Sequence, residues 1–362
     1  MIPLLGKNIT ELSDIAVENG MKPFVGKQLA HWLYVKRVIS IDEMTNLPQQ
    51  GRVELKKKYT VGRYQPTAKA VSNDGTCKYL FEIKNEFTDK KPTYIETVFL
   101  PEEDRATLCV STQAGCRMGC RFCMTGTLGF QTHLRASDIL NQIFTIDSLH
   151  GNCLTNIVYM GEGEPLDNID EVLRSIEVLT ADYGCGWSPH RITVSTVGFL
   201  PGLQKFLEES DCHLAISLHN PFRDERAALM PAEKAYPMAD VLTQLHNYIQ
   251  KETTANRDFR RQRRLSFEYI CFGGQNDTPR HARALARLLN NLPCRVNLIR
   301  FHTDKRTTEN NASNKIIYPP SNPDAMIYLR DYLTQHGITT TIRRSRGEDI
   351  LAACGMLVNA LA

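Results

Sequence analysis

From Thr107 onward the chain alternates short β-branched runs with helical patterns, and that alternation confines it to parallel βα units. The predicted strands cover residues 107–112, 156–161, 191–196, 214–219, 265–272, 295–301 and 339–344. Candidate helices between them include 136–150, 240–252, 280–291 and 324–336. Six or seven such units predict an α/β fold, a partial (β/α) barrel whose working loops follow the C-terminal ends of the strands. Ahead of it, residues 1 to about 67 read as helical, with Leu29, Trp32 and Leu33 on one face. Runs at 78–83 and 94–100, separated by the polar stretch 85–92, read as a hairpin. This gives a helical and β accessory domain over 1–100, a barrel over 101–345 and a terminal segment over 346–362.

The barrel rule says where chemistry should collect, and polar and reactive residues do collect there. A cysteine-rich loop follows the first strand, and Gly161-Glu162-Gly163-Glu164-Pro165 follows the second. Ser195-Thr196 ends the third, Ser217-Leu218-His219 the fourth, Asn297 lies on the sixth, and Arg346 to Cys354 follow the last. The loop carries Cys116, Cys120 and Cys123 in Cys-x3-Cys-x2-Cys spacing, with glycines that permit tight turns. Three clustered thiolates on a four-iron cubane leave one iron open to chemistry. A zinc or four-cysteine cluster site completed by a distant fourth ligand, such as His133 or another cysteine, is the alternative.

The 43 Lys and Arg against 40 Asp and Glu leave a charge of only +3, so any nucleic-acid face must be local. No apolar run approaches the roughly 20 residues of a membrane helix, and the first residues are too short for a signal peptide. A cytoplasmic location is expected. Eleven cysteines without an export signal argue for reduced thiols rather than disulfides. Cys77, Cys153, Cys185, Cys212, Cys271 and Cys294, single among apolar neighbours, are expected to be buried small hydrophobes.

The cysteine spacing matches the radical S-adenosylmethionine superfamily. From about Lys22 to Gly355 the chain resembles the RlmN/Cfr family of radical methyltransferases that act on adenosine in ribosomal RNA. The resemblance implies the partial (β/α)6-type TIM barrel of a radical S-adenosylmethionine core. It implies a [4Fe–4S] cluster on Cys116, Cys120 and Cys123. Two S-adenosylmethionine molecules would be used per turnover, in a site lined by Gly163, Glu164, Ser195, Ser217, Leu218, His219 and Asn297. Glu164 would offer backbone and carboxylate acceptors to the cofactor ammonium. By the same resemblance Cys354 carries the methyl group, Cys109 resolves the protein–RNA adduct as a thiolate, and Glu96 accepts the ring proton.

The implied substrate is 23S ribosomal RNA at the peptidyl transferase centre, extended to transfer RNA. An electron donor such as a flavodoxin or ferredoxin is also implied, and the protein is expected to be a monomer. Gly129-Phe130 and the Arg346-Gly-Glu-Asp-Ile run favour methylation at C2 of adenosine, with C8 as the alternative; Met124-Thr-Gly-Thr-Leu departs from the usual C2 pattern. Glu162 stands where the family commonly has methionine. Candidate phosphate contacts are Arg257, Arg260, Arg261, Arg263 and Arg264, Lys56 to Lys58, and Arg343, Arg344 and Arg346. The polar run 305–322 reads as a loop able to alter substrate fit. Rival readings are a radical enzyme acting on a small molecule or peptide, and a non-catalytic metal-stabilised RNA-binding module.

Overall fold

The structure is a computed structural model that describes residues 1–83, 92–255, 263–302, 319–353 and 355–357. Ten strands form one sheet: β1 Ala68–Val71, β2 Cys77–Ile83, β3 Thr93–Pro101, β4 Ala106–Cys109, β5 Asn156–Tyr159, β6 Ile192–Thr196, β7 His213–Ser217, β8 Leu265–Cys271, β9 Cys294–Arg300 and β10 Thr339–Arg343. Spatial order follows chain order. From β4 to β10 every neighbour is parallel. Each parallel crossover contains a helix; Ala136–Leu149, Ile169–Thr180, Leu200–Glu209, Met238–Thr254, Pro279–Leu288 and Pro323–Gln335 supply the layer outside the strands. The six βα units of the expected partial barrel are therefore present, closed by a seventh strand.

Burial explains why these runs became strands. Every residue of β8, and Leu214, Ala215 and Ile216 of β7, is buried, as in parallel strands covered on both faces. The helix Ile169–Thr180 turns Val172, Ile176 and Leu179 inward and keeps acidic Asp170 and Glu171 in its first turn, where the helix dipole favours them.

The division expected at residue 100 is not a gap in the sheet. The hairpin β2–β3 is joined to β4 by antiparallel pairing, Val98 opposite Cys109, and β1 adds a further antiparallel strand. The helices Ile9–Glu18, Val25–Ala30 and Gln49–Lys58 pack beside it and share one hydrophobic core with the barrel. Polar contacts lock this part to the helix Ala136–Leu149: Arg37 meets Asp147 at 2.6 Å and the Tyr64 amide donates to Asn141 Oδ1 at 2.9 Å. Among the described residues no helix is long and apolar enough to cross a membrane. Of the single cysteines, Cys77, Cys212 and Cys271 are buried and Cys185 and Cys294 partly so, whereas Cys153 is exposed on the loop before β5.

Candidate active site

Beyond Cys109 the chain enters a second, two-stranded ribbon, Gln113–Gly115 against Phe130–His133, and the cysteine loop is the excursion between its strands. Gly115 makes the closure possible. Its φ is +68°, and a Cβ there would lie 1.7 Å from the Gly129 carbonyl oxygen, so only glycine lets the two strands meet. The Cys116 amide then donates to that same carbonyl at 3.2 Å, and the Arg121 amide to Leu229 at 2.9 Å. An apolar wall of Leu229, Met230, Ile270 and Phe272 stands behind Cys120 and Phe122.

The three thiols fit a cationic cluster. Burial first, then neighbouring thiols and carboxylates, pushes Cys116 up to about 12, and burial also raises Cys120 and Cys123. Without a cation these thiols stay protonated; a ligated thiol is deprotonated outright. Among the described residues no three His, Cys, Asp or Glu side chains converge on a point that could hold one metal ion. Thiols that each serve a different iron of a cubane need no such convergence. His133, the alternative fourth ligand, has Nδ1 3.1 Å from the Gln113 amide nitrogen and Nε2 3.1 Å from the Arg117 guanidinium. Both neighbours are donors and a neutral imidazole has one accepting nitrogen, so one of the two approaches is a hydrogen bond and the other a close contact.

The loop after β5 contributes two buried carboxylates. Gly163 sits at φ +95° with Gln113 where a side chain would be. The Glu164 carboxylate accepts the Leu166 amide at 3.0 Å and the Val197 amide at 2.9 Å, and burial raises it to about 7. Part of the acceptor capacity expected to meet the cofactor ammonium is thus spent bracing the loop against the end of β6. Glu162 gains a physical account. Its carboxylate accepts the Glu96 amide at 2.8 Å and the Gly115 amide at 3.3 Å, bridging β3 to the residue before Cys116. Burial raises Glu162 to about 8.

Ser195 and Ser217 stand half-buried at neighbouring strand ends. Arg226, 1 % exposed, binds these ends together: its guanidinium donates to the carbonyls of Leu218 at 3.0 Å, Val197 at 2.9 Å and Ser217 at 2.9 Å, and pairs with Glu233. His219 is left-handed at φ +56°, and its ring meets Phe122 edge-on at 4.9 Å. Its Nδ1 accepts the Ile270 amide at 3.0 Å, while burial and then Arg226 lower it to about 3. The ring is therefore neutral with its proton on Nε2.

Asn297 lies in the middle of β9 rather than at its end. It donates to Glu268 Oε1 at 2.7 Å and accepts from the Thr341 hydroxyl at 2.8 Å. Glu268 Oε2 is buried with no hydrogen-bond donor among the described residues; Arg343 Nη1 is 3.7 Å away. A buried carboxylate oxygen that faces Arg343 without a hydrogen bond keeps acceptor capacity beside Asn297, which suits a hydroxylated ligand such as a ribose. The sequence reading missed Glu268, Arg226 and Lys78. The available signal was a charge inside a strand or segment of otherwise buried residues.

Cys354 lies outside the described residues, but its neighbours place the segment. The Met124 amide donates to the Gly355 carbonyl at 2.7 Å and the Thr125 hydroxyl to Leu357 at 3.1 Å. Cys109 and Ile350 pack against the cluster formed by Val98, Ala352 and Leu357. Upstream, the turn after β1 grips the segment. Asp74 accepts the Gly347 amide at 3.0 Å, and Asp349 accepts the Ser72 hydroxyl at 2.6 Å and the Asn73 amide at 3.1 Å. Hydrogen bonds from Thr76 and Gly347 outweigh burial and hold Asp74 well below the usual carboxylate range.

Glu96, on β3, is completely buried, and Lys78 on β2 reaches its carboxylate at 2.9 Å. Val98 faces Lys78 and Leu80 faces Glu96, so the ion pair is the diagonal of one antiparallel face.

Several cations proposed for RNA are otherwise engaged. Arg263 is buried, donates to the carbonyls of Leu207 and Ser210, and lies 5.4 Å from the rings of Phe206 and Tyr248. Lys56 pairs with Asp42, Lys57 with Glu54, and Arg346 donates to the Asp74 carbonyl at 2.7 Å. Arg264 and Arg344 are exposed, while half-buried Arg343 lies 3.7 Å from the Glu268 carboxylate; Arg257, Arg260, Arg261 and most of 305–322 lie outside the described residues.

A model of the radical SAM superfamily matches residues 110–281, and one of the ribosomal RNA large subunit methyltransferase N-terminal domain matches residues 2–61. A Bacteroides fragilis protein named "Probable dual-specificity RNA methyltransferase RlmN" is 51 % identical over 358 residues, 99 % of this chain and 96 % of that one. A Staphylococcus carnosus protein of the same name is 39 % identical, over 96 % of this chain and 90 % of its own. The crystal structure of a radical SAM methyltransferase from Sphaerobacter thermophilus superposes with a TM-score of 0.85 at 33 % identity, covering 99 % of each chain. Radical S-adenosylmethionine proteins use a [4Fe–4S] cluster and S-adenosylmethionine, and the loop of Cys116, Cys120 and Cys123 lies inside the matched region. On the strength of full-length similarity to both its relatives and a solved fold, the chain belongs to the RlmN family of radical S-adenosylmethionine methyltransferases.

Proposed function

We propose that this enzyme methylates C2 of adenosine in 23S ribosomal RNA, at the peptidyl transferase centre, and in transfer RNA, by way of a methyl group carried on Cys354. The observation that carries the reading is the docking of the residues around Cys354. Gly355 is hydrogen-bonded to Met124, one residue past Cys123, and Ile350, Ala352 and Leu357 gather about Cys109. The described residues on either side of Cys354 thus lie against Cys109 and the cysteine loop, which supports a carrier role for Cys354 and a resolving role for Cys109.

Cys116, Cys120 and Cys123 would hold the cluster, and Gly163, Glu164, Ser195, Ser217, Leu218, His219 and Asn297 the cofactor. When bound, cluster and cofactor supply the methyl group and a hydrogen-abstracting radical, two cofactor molecules serving each turnover. The chain's own residues do the rest. Cys354 presents the one-carbon unit to the base, which must leave its stack to reach it. Cys109, as a thiolate, attacks the Cys354 sulfur; the carbon–sulfur bond breaks, an S–S bond forms, and the carbon keeps the electron pair and gains a proton to become methyl. Glu96 accepts the proton from the ring carbon, and the one electron that radical addition leaves on the ring would pass to the bound cluster. A flavodoxin- or ferredoxin-like donor would supply the electrons, and Arg264, Arg343 and Arg344 would meet phosphates.

The test is a Cys109→Ala protein, purified anaerobically and supplied with S-adenosylmethionine, reductant and unmodified RNA. A covalent protein–RNA adduct through Cys354 is expected to persist. Its absence refutes the carrier mechanism, and 8-methyladenosine in wild-type digests refutes the C2 assignment.

A further inference from the structure

Lys78 sits where a lysine is hard to place. It is 1 % exposed, in a strand whose residues Cys77 to Phe81 are all buried. A buried ammonium is tolerated only when paired and hydrogen-bonded. Its nitrogen stands 2.9 Å from a carboxylate oxygen of Glu96 and donates to the Leu351 carbonyl at 3.3 Å. Leu351 ends the docked turn Glu348–Ile350 in a left-handed conformation at φ +54°, three residues before Cys354. One cation thus spans two elements far apart in the chain, β3 and the carrier segment.

The surroundings give that link little play. The Glu96 backbone is pinned on both sides: its amide donates to Glu162, and its carbonyl accepts the Ser111 hydroxyl at 2.6 Å. The carrier segment is pinned upstream by Asp74 and Asp349 and downstream by Met124. Lys78 touches both the Glu96 carboxylate and the arm, and so ties the position of one to the other.

We propose that Lys78 is a positioning residue for adduct release: its ammonium orients the Glu96 carboxylate and, through the Leu351 carbonyl, registers it against the arm that bears Cys354. This rests on the reading of Glu96 as the proton acceptor and Cys354 as the carrier. In the step concerned, the ring carbon–hydrogen bond breaks, its electron pair stays in the ring, and the proton binds a Glu96 oxygen. Methyl loading onto Cys354 precedes that step and does not use Glu96, so Lys78 acts after loading.

The experiment compares cluster-loaded wild-type, Lys78→Gln, Lys78→Met, Lys78→Arg and Cys109→Ala proteins on unmodified RNA. Intact-protein mass reads methylation of Cys354, and denaturing gels and nucleoside digests read adduct and free methylated base. Lys78→Gln and Lys78→Met are expected to load Cys354 and form the adduct, then release product roughly a hundredfold more slowly, the scale of a lost general base. Lys78→Arg, which keeps the charge, restores release in large part. Wild-type release by either neutral variant overturns the inference, as does an arginine variant no better than methionine. If neither neutral variant folds or loads its cluster, Lys78 is structural and the assignment fails. Absence of an adduct with Cys109→Ala would instead sink the underlying reading, so the two failures are told apart.

Discussion

Replacing Arg226 by methionine should separate what holds the proposed cofactor rim together from what merely fills it. The native guanidinium donates to three carbonyls, those of Leu218, Val197 and Ser217, at 2.9 to 3.0 Å, and pairs with Glu233, whose side chain is 3 % exposed. Methionine fills much of the volume but leaves a buried carboxylate whose described partner is the Met238 amide, at 3.0 Å. Removing one member of a buried ion pair costs about 3–5 kcal/mol. Replacing Glu233 by methionine in the same chain removes the stranded charge. The double variant should then lose only the part due to rim carbonyls left without a donor, about 1–3 kcal/mol for each; the Leu218 carbonyl keeps the Asn220 amide at 2.7 Å. Urea unfolding followed by far-UV circular dichroism under reducing conditions measures both. S-adenosylmethionine affinity, by equilibrium dialysis, should stay weakened in the double variant because Ser195 and Ser217 remain untied. A single variant losing less than about 1 kcal/mol, or a double variant no more stable than the single, refutes the ion-pair argument. Wild-type cofactor affinity in the double variant refutes the rim argument.

Gly115→Ala should abolish cluster loading, since its Cβ would meet the Gly129 carbonyl at 1.7 Å; iron per chain falls steeply while the far-UV spectrum persists. Glu162 stands at about 8 in the folded protein against an ordinary 4.5, so the folded state keeps a proton that the unfolded chain gives up. Stability of the metal-free protein should therefore be highest below pH 4.5 as far as this group is concerned, and fall as pH rises to about 8. The steepest slope is about 1.4 kcal/mol per pH unit. Glu162→Gln should flatten this part of the pH–stability curve in urea titrations. Asp74→Ala removes acceptors for the Gly347 amide and the Arg346 guanidinium. Trypsin cleavage near Arg344 and Arg346 should quicken while iron content stays the same, and unchanged cleavage would argue against the turn as a dock. Glu96→Ala should let the protein–RNA adduct form and then persist, read on the same denaturing gels as Cys109→Ala.

The parts of this molecule visible in its sequence are those whose signal is local. The period of β-branched runs marked all seven parallel strands to within a few residues, because a strand buried on both faces has little choice of composition. The cysteine spacing marked the loop because its ligands must come from one short segment. What escaped was carried by pairs. Lys78 and Glu96 look like solvent-facing charges on a hairpin until register places them on one diagonal and the sheet continues past them, so a boundary drawn at residue 100 hid their burial. Arg263, close to a run of arginines, looks like a phosphate contact until Phe206 and Tyr248 are seen to enclose it. Glu162 looked like a misplaced charge beside a cofactor, and it bridges the Glu96 and Gly115 amides. In each case the missing information was the partner. A buried charge costs more than the fold can spare unless something distant in sequence answers it. That requirement turns such residues into pointers. Lys78 leads to the arm before Cys354, Arg226 to the ends of β6 and β7, and Glu162 to the cysteine loop. All three lines converge on the rim where the thiols stand.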